Sequence, residues 1–564
     1  MISRIRVRHF KAFESQSFDL SDHIVLAGPN NSGKTTLLQA IVVWNLALQR
    51  WRFERGGESK GKERTGVPIT RKDFTAIPLR EMNLLWTNTS TALRKQDAGG
   101  GKAGHPRVME IELEGRNGQD PWSLTFEFRY QSSEQIYARP KSLASVQGVD
   151  DIGVVHVPPF SGIGVQETRY DPPYQNLLIG QGKPGDILRN LLLEIHQKDD
   201  QSDWNSLCGQ VERVFGYSLL PPRYEGLPFI VCEYLPGRAG GKKRSEPPPL
   251  DISCAGSGFH QVLMLLAFFY ARPSSVLLLD EPDAHLHVVL QKQIYDLLRQ
   301  VAVQRSCQLV IATHAEVLID GTSPELILSF LGKPHRLITD TEREQVREAL
   351  KRLQATEILI SERSAGVLYV EGESDFDLLR AWARVLDHPS RRWFEETPFW
   401  HSNRGRNPRE ARAHFFALRA IKPEIRGLLL LDGDNRGLPD REVGADGLTI
   451  ARWERYEAES YLVHPEALFR YVEQQTLPLF AKAARDFLLD QIPPNVAREP
   501  LKHSVFSEVT PASKILLPAF FGAANLSLPK QEYYIVAEQM KPSEIPDEIG
   551  EKLDLIASAF GMGG

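Results

Sequence analysis

Cysteine is scarce in this chain: Cys208, Cys232, Cys254 and Cys307 are the only four in 564 residues, and no two form a C-x-x-C pair. That spacing excludes a disulfide framework and a zinc knuckle, and leaves buried thiols as the reading. A run of 18 or more apolar residues is also missing, so no membrane span is expected. The opening "MISRIRVRHFKAF" alternates like a strand and lacks the apolar core of a signal peptide, which reads as cytoplasmic. Nor is there an excess of basic charge. The formal net charge is −5, which does not advertise a nucleic-acid binder but is compatible with local basic patches. Hydrophobic residues make up 42% and charged residues 25%, ordinary for a globular chain long enough for two to four domains.

Several segments carry periodic patterns. From Ile2 to Ile41 the order reads strand, turn, strand, Gly-rich loop, helix. Residues 50–107 contain "RGGESKGKERTG" and "KQDAGGGKAGHP", too poor in apolar residues to fold compactly, and read as an insertion with mobile loops. "RVMEIELEG" and "WSLTFEFRYQ" alternate as antiparallel strands do. "SVLLLDEP" and "CQLVIATHA" are continuously apolar, which predicts parallel strands buried on both faces. Residues 341–365 read as a charged helical connector, 366–465 as a second strand–helix–strand domain, and 466–564 as a mostly helical C-terminal region.

"GPNNSGKT", Gly28 to Thr35, fits G-x-x-x-x-G-K-[ST] between a strand, "HIVLA", and a helix, "TLLQAIVVW". Gly28, Pro29, Asn30, Asn31, Ser32, Gly33, Lys34, Thr35 and Thr36 therefore form a candidate ATP site. Its backbone N–H groups cradle phosphate, Lys34 reaches the β- and γ-phosphates, and Thr35 ligates Mg²⁺. Asp280 and Glu281 end the strand "SVLLLDEP". Asp280 is placed to hold the Mg²⁺ shell, and Glu281 to orient or deprotonate water. His314, at the end of the next strand, is placed to sense the γ-phosphate.

The order of these pieces resembles the ABC-type ATPase heads of the RecF and SMC group over residues 1–340. The resemblance implies a signature loop at Ser253, Gly256, Ser257 and Gly258, and a D-loop at Asp283 to His287, which accounts for the H-x-H of His285 and His287 better than a metal site does. The signature departs from a clean LSGGQ, and no Q-loop glutamine is evident. In such heads the signature loop of one subunit covers ATP bound by the other, which implies a homodimer or higher oligomer.

A second group of acids lies further on. "VLYVEGESDFDLL" puts Glu371 just past a buried strand, where open α/β sheets hold their ligands. "RGLLLLDGDN" ends in Asp432–Gly433–Asp434, whose two carboxylates point the same way in extended chain, with Gly433 permitting a tight turn. Glu454, Glu457 and Glu459 follow. Carboxylates so close repel, and Mg²⁺ or Mn²⁺ relieves the repulsion. "NRGRNPREAR", Asn403 to Arg412, is either a nucleic-acid backbone contact or a solvated charged loop. Lys514 and Lys530 are candidates to offset phosphate charge.

The Glu371-then-Asp432/Asp434 arrangement resembles the Toprim fold of topoisomerases, primases and the OLD (overcoming lysogenization defect) nucleases. The resemblance implies a metal site of Glu371, Asp432 and Asp434, with Asp375 and Glu459 in support. Glu459, before a tyrosine, also resembles a position in the Toprim-like partners of PARIS-type phage defence. An ABC-type head joined to a Toprim module resembles the OLD family over most of the chain. It implies an ATP-regulated, metal-dependent DNA endonuclease of phage defence, with a separate defence protein as a possible partner. The rival expectations are a sensor or scaffold that binds without cutting, and a Toprim enzyme acting on RNA, including tRNA.

Overall fold

The computed structural model describes residues 1–55, 66–74, 77, 79–92, 106–118, 120–142, 146, 149, 152–237, 248–272, 274–353, 355–403, 408–434 and 447–562. Most of the two Gly/Lys-rich stretches, and residues 404–407 of the basic segment, lie outside them. The chain divides into two compact units, Met1–Leu350 and Lys351–Gly564.

In the first unit, β1 (Ile2–Phe10), β2 (Phe13–Asp19), β4 (Val67–Thr70), β5 (Met109–Asn117), β6 (Asp120–Ser132) and β7 (Gln135–Pro140) form an antiparallel sheet in the order β2-β1-β5-β6-β7-β4. The period-two pattern explains its one buried face: Met109, Ile111 and Leu113 point into the core while the alternate glutamates do not. Residues 67–86 depart from the expected insertion. Val67, Ile69, Phe74, Ile77, Met82, Leu85 and Trp86 are all buried in the same core, so this stretch carries enough apolar surface to be part of the domain.

The second sheet of this unit has the order β15-β14-β3-β13-β12-β8, from β3 (His23–Ala27), β8 (Val154–Val157), β12 (Val276–Asp280), β13 (Gln308–Thr313), β14 (Ile327–Ser329) and β15 (His335–Arg336). All but β15 run parallel. Its continuously apolar strands are split between two cores. Val276, Leu278, Val310 and Ala312 face the core shared with α1 (Lys34–Arg55) and the antiparallel sheet. Leu277, Leu279, Leu309 and Ile311 face α2 (Ser257–Ala271), α3 (Val288–Gln304) and the helices around Leu191 and Leu207. Short strands β9 (Ser218–Leu219), β10 (Glu233–Leu235) and β11 (Leu250–Asp251) lead into α2.

The second unit is built on a four-stranded parallel sheet, β17-β16-β18-β19, from β16 (Gly366–Val370), β17 (Trp400–Ser402), β18 (Arg426–Leu431) and β19 (Leu448–Arg452). Leu368, Val370, Leu428 and Leu430 face one large core. That core also holds α5 (Glu373–Val385) and the C-terminal helices as far as α7 (Asp547–Ala559). Residues 466–564 therefore share one core with 366–465 and are not an appended region, which corrects the expected boundary at 465. The charged connector is likewise two helices. Asp340–Arg352 carries Arg343 and Arg347, bonded to Thr322 and Asp320 of the first unit. In contrast, α4 (Ala355–Arg363) belongs to the second unit and crosses the far face of the sheet with α6 (Arg409–Ile421). Of the four free thiols, Cys232 and Cys307 are buried, Cys208 is half-buried, and Cys254 is exposed against expectation because it lies in the turn before α2.

Candidate functional site

The sheet order of the first unit assembles a nucleotide site from distant sequence. Strand β13 lies between β3 and β12, so the Gly28–Thr35 loop after β3, the Asp280–Glu281 pair at the end of β12 and His314 after β13 emerge side by side. Gly33 has φ +104° with Phe13 packed beneath it, a conformation other residues rarely adopt. Lys34 is buried, and its ammonium donates to the carbonyls of Gly28 at 2.6 Å and Pro29 at 2.7 Å. Burial lowers its pKa, against the pull of Glu281 and Asp280. Thr35 Oγ1 donates to Asp280 Oδ1 at 3.1 Å. Burial pushes the Asp280 carboxyl up to about 6.

Glu281 sits in the left-handed region at φ +49°, a strained backbone held by its N–H bonding to the Ala312 carbonyl at 2.8 Å. Its Oε1 lies 3.2 Å from His314 Nδ1. That hydrogen bond is the chief cause of the low Glu281 pKa and the high His314 pKa. Thr36 is half-buried behind Thr35, and Asn30 and Asn31 are exposed at the loop tip. The Asp283 carboxyl accepts from Thr313 at 2.7 Å. His287 caps α3, and His285 has φ +65°; neither belongs to a metal-ligating group among the described residues.

The signature segment is the entry to α2. Asp251 accepts from the N–H and Oγ of Ser253 at 2.8 and 2.6 Å, and is itself paired with buried Arg189. Gly256, at the N-cap, and Ser257 are exposed, and Gly258 is half-buried. This leaves the helix terminus free of protein covering within the unit.

In the second unit the acids gather at the carboxyl ends of β16 and β18. Glu371 is exposed after β16, and Asp432 half-buried after β18. Asp375 is buried in the first turn of α5, where it accepts from the Gly372 N–H at 3.1 Å. Glu459 comes from a 3₁₀ turn, Ala458–Leu462, and is 0% exposed. Burial, a hydrogen bond with Glu371 and the charges of Asp375, Glu371 and Glu459 hold the Asp432 carboxyl well above its ordinary range. Burial and the Glu459 charge bring Asp375 to about 7. No three of these carboxylates bring oxygens within 4.8 Å of one another among the described residues.

Lys530, offered by the sequence only as a phosphate counter-charge, instead places its Nζ 2.9 Å from Glu459 Oε1. That contact lies off the direction of a good hydrogen bond, for neither Glu459 oxygen has one. Burial opposes the Lys530 charge, but Glu459 and Asp375 raise its pKa overall. Lys514 is exposed. Glu457 accepts from the Ser513 N–H and Oγ at 2.5 and 2.9 Å, and Glu454 is exposed. Asp434 is half-buried, its N–H bonded to the Tyr456 carbonyl at 3.1 Å, and is not among the groups acting most strongly on Asp432. Gly433 is required by close approach: a Cβ there would meet the Arg455 carbonyl at 2.1 Å.

Residues 1–68 match the AAA ATPase domain model, and residues 170–320 match a model described as "AAA domain, putative AbiEii toxin, Type IV TA system". The first span holds the Gly28–Thr35 loop, and the second holds Asp280, Glu281 and His314. These matches give the first unit an ATP-binding ATPase domain of AAA type. No curated protein matches the chain. Among solved structures, the SMC head domain from Thermotoga maritima aligns at 15% identity over 58% of this chain and 94% of that one, with a TM-score of 0.32. An Smc head domain with an extended coiled coil, bound to the C-terminal domain of ScpA derived from Pyrococcus furiosus, aligns at 15% identity over 58% and 92%, with a TM-score of 0.33. No helix among the described residues is long and apolar enough to cross a membrane.

One cluster escaped sequence reasoning. Glu357, His401 and His414 bring their ligand atoms within 4.8 Å of one another. They are separated by 44 and 13 residues, so no local motif signals them.

Proposed function

We propose that the chain is an ATP-regulated, divalent-metal-dependent nuclease that cleaves DNA, acting in defence against phage or other foreign DNA. The observation that carries this reading is the gathering of Glu371, Asp375, Asp432 and Glu459 beside the ends of β16 and β18, where burial, and after it the neighbouring carboxylates, raises the pKa values of Asp432 and Asp375. Buried carboxylates that hold protons beside one another can exchange them for a cation. The donor set is oxygen-only, which fits Mg²⁺ or Mn²⁺. Glu371, Asp432 and Asp434 would hold the ion or ions, with Asp375 and Glu459 in support. Such ions lower the pKa of bound water and stabilise the leaving oxygen of a phosphodiester. Lys530, with its Nζ 2.9 Å from Glu459 Oε1, supplies the positive charge on that side of the cleft. The defence role rests on the resemblance to the OLD family.

At the nucleotide site, Thr35 and Asp280 would hold Mg²⁺, whose chemistry is to bridge and neutralise the phosphates. Lys34 exchanges the Gly28 and Pro29 carbonyls for phosphate oxygens. Glu281, kept ionised by His314, orients water and accepts its proton. The exposed Gly256–Ser257 terminus is the surface a second copy's nucleotide would meet, so the active form is a homodimer or larger.

The test is cleavage of plasmid DNA and of tRNA with Mn²⁺, with and without ATP. Asp432→Ala should lose cleavage while ATP hydrolysis stays close to wild type. If Asp432→Ala and Glu371→Ala both cut as wild type does, the nuclease reading fails. Cleavage of tRNA alone would move the substrate from DNA to RNA.

A further inference from the structure

The far face of the four-stranded sheet carries its own chemistry. Val367, Tyr369 and Leu429 point away from the large core toward α4 and α6. There Glu357 from α4, His401 from β17 and His414 from α6 converge. Glu357 Oε1 lies 3.0 Å from His401 Nδ1 and 3.3 Å from His414 Nε2. The two imidazoles stack, with centroids 3.9 Å apart and planes 17° from parallel. His414 is only 4% exposed, and its Nε2, aimed at this point, makes no well-directed hydrogen bond. Its other nitrogen, Nδ1, lies 2.9 Å from the hydroxyl of buried Tyr369.

We propose that Glu357, His401 and His414 form a metal centre for a borderline transition-metal ion of the Zn²⁺ class, separate from both the nucleotide site and the acidic cleft. Two imidazoles and one carboxylate are a donor set that a soft-to-borderline ion prefers and that Mg²⁺ does not. The spacing fits. An ion with ligands about 2.05 Å away in a tetrahedron sets neighbouring ligand atoms about 3.3 Å apart, close to the two distances from Glu357 Oε1.

Hydrogen bonding leaves the buried His414 Nε2 poorly served. One carboxylate oxygen would have to accept from both facing nitrogens, yet Nε2 is badly directed for it. Stacked rings also cannot both carry charge cheaply. Coordination would use both lone pairs once the less buried His401 ring turns out of its stack, since in-plane lone pairs of stacked rings do not meet at one point. It frees Nδ1–H of His414 to donate to the Tyr369 oxygen, the partner that fixes a ligating imidazole's tautomer. His401 is about one-third exposed in its side chain, which provides an entry path and an open fourth position. The ion would tie α4 and α6 to the edge strand β17.

The experiment uses full-length protein stripped by a chelator and titrated with Zn²⁺ against a chromogenic competitor, then with Co²⁺ by visible absorption. Wild type and Asp432→Ala should each take up one tight Zn²⁺ and show the intense d–d bands of four-coordinate Co²⁺. His401→Ala and Glu357→Gln should bind at least about 100-fold more weakly, and Tyr369→Phe about 10-fold. Zn²⁺ should raise the melting temperature of wild type but not of His401→Ala or Glu357→Gln, each of which should melt cooperatively without metal. Unchanged Zn²⁺ affinity in His401→Ala, equal Zn²⁺ stabilisation of the two proteins, or no tight Zn²⁺ in wild type would each overturn the proposal.

Discussion

Asp375 makes the acidic cleft measurable without any nuclease assay. Its ordinary pKa is 3.8 and the folded value is about 7, chiefly through burial and then the charge of Glu459. A carboxyl with a raised folded pKa binds its proton more tightly in the folded state. Its contribution to stability is therefore complete below pH 3.8 and is lost as pH rises toward about 7. Each pH unit crossed is worth about 1.4 kcal/mol, so the loss is at most about 4 kcal/mol and less in proportion to its coupling with Asp432. Unfolding of the second unit can be followed by its buried Trp382, Trp393 and Trp453 with denaturant at several pH values. In metal-free wild type, stability should fall between pH 4 and 7 more steeply than in Asp375→Asn. Mg²⁺ or Mn²⁺ should flatten the curve by stabilising the protein most at the high-pH end, because cation and proton compete. Equal pH slopes in wild type and Asp375→Asn would refute the argument that crowding holds a proton there.

At the nucleotide site, Lys34→Ala should lower ATP hydrolysis by about 100-fold or more through loss of the phosphate-binding charge; steady-state phosphate release reads this directly. Glu281→Gln should still bind ATP but turn it over about 100-fold more slowly, and equal turnover would remove Glu281 from the role of base. Gly433→Ala, with a Cβ 2.1 Å from the Arg455 carbonyl, should destabilise the second unit by about 3 kcal/mol or more, seen as a lowered denaturation midpoint. Light scattering over a range of concentration should show a dimer or larger species with ATP; a strict monomer throughout would contradict a composite nucleotide site.

What the sequence made legible was local. The Gly28–Thr35 loop, the Asp280–Glu281 strand end and the Glu371 strand end are short patterns in which chemistry and secondary structure coincide, and continuous apolarity identified β12 and β13 as doubly buried. What it hid was long-range. The packing of Val67 to Trp86 into the first core, and of the last hundred residues against β18, depends on contacts that no window of sequence contains. The two aspartates around Gly433 looked equivalent at i and i+2, yet the chain closes there against residues 453–455, and burial with Glu371, Asp375 and Glu459 raises the Asp432 pKa. Glu357, His401 and His414 were invisible for the same reason: a connector helix, an edge strand and a covering helix each supply one ligand.

The pairing of Lys530 with Glu459 gives the C-terminal helices a second duty. A chain cut after residue 464 would lose the apolar cover of β18 and, with it, the Lys530 ammonium that stands against that wholly buried carboxylate. Charge balance and packing in this unit thus share the same residues, so loss of the C-terminal region would disturb both at once.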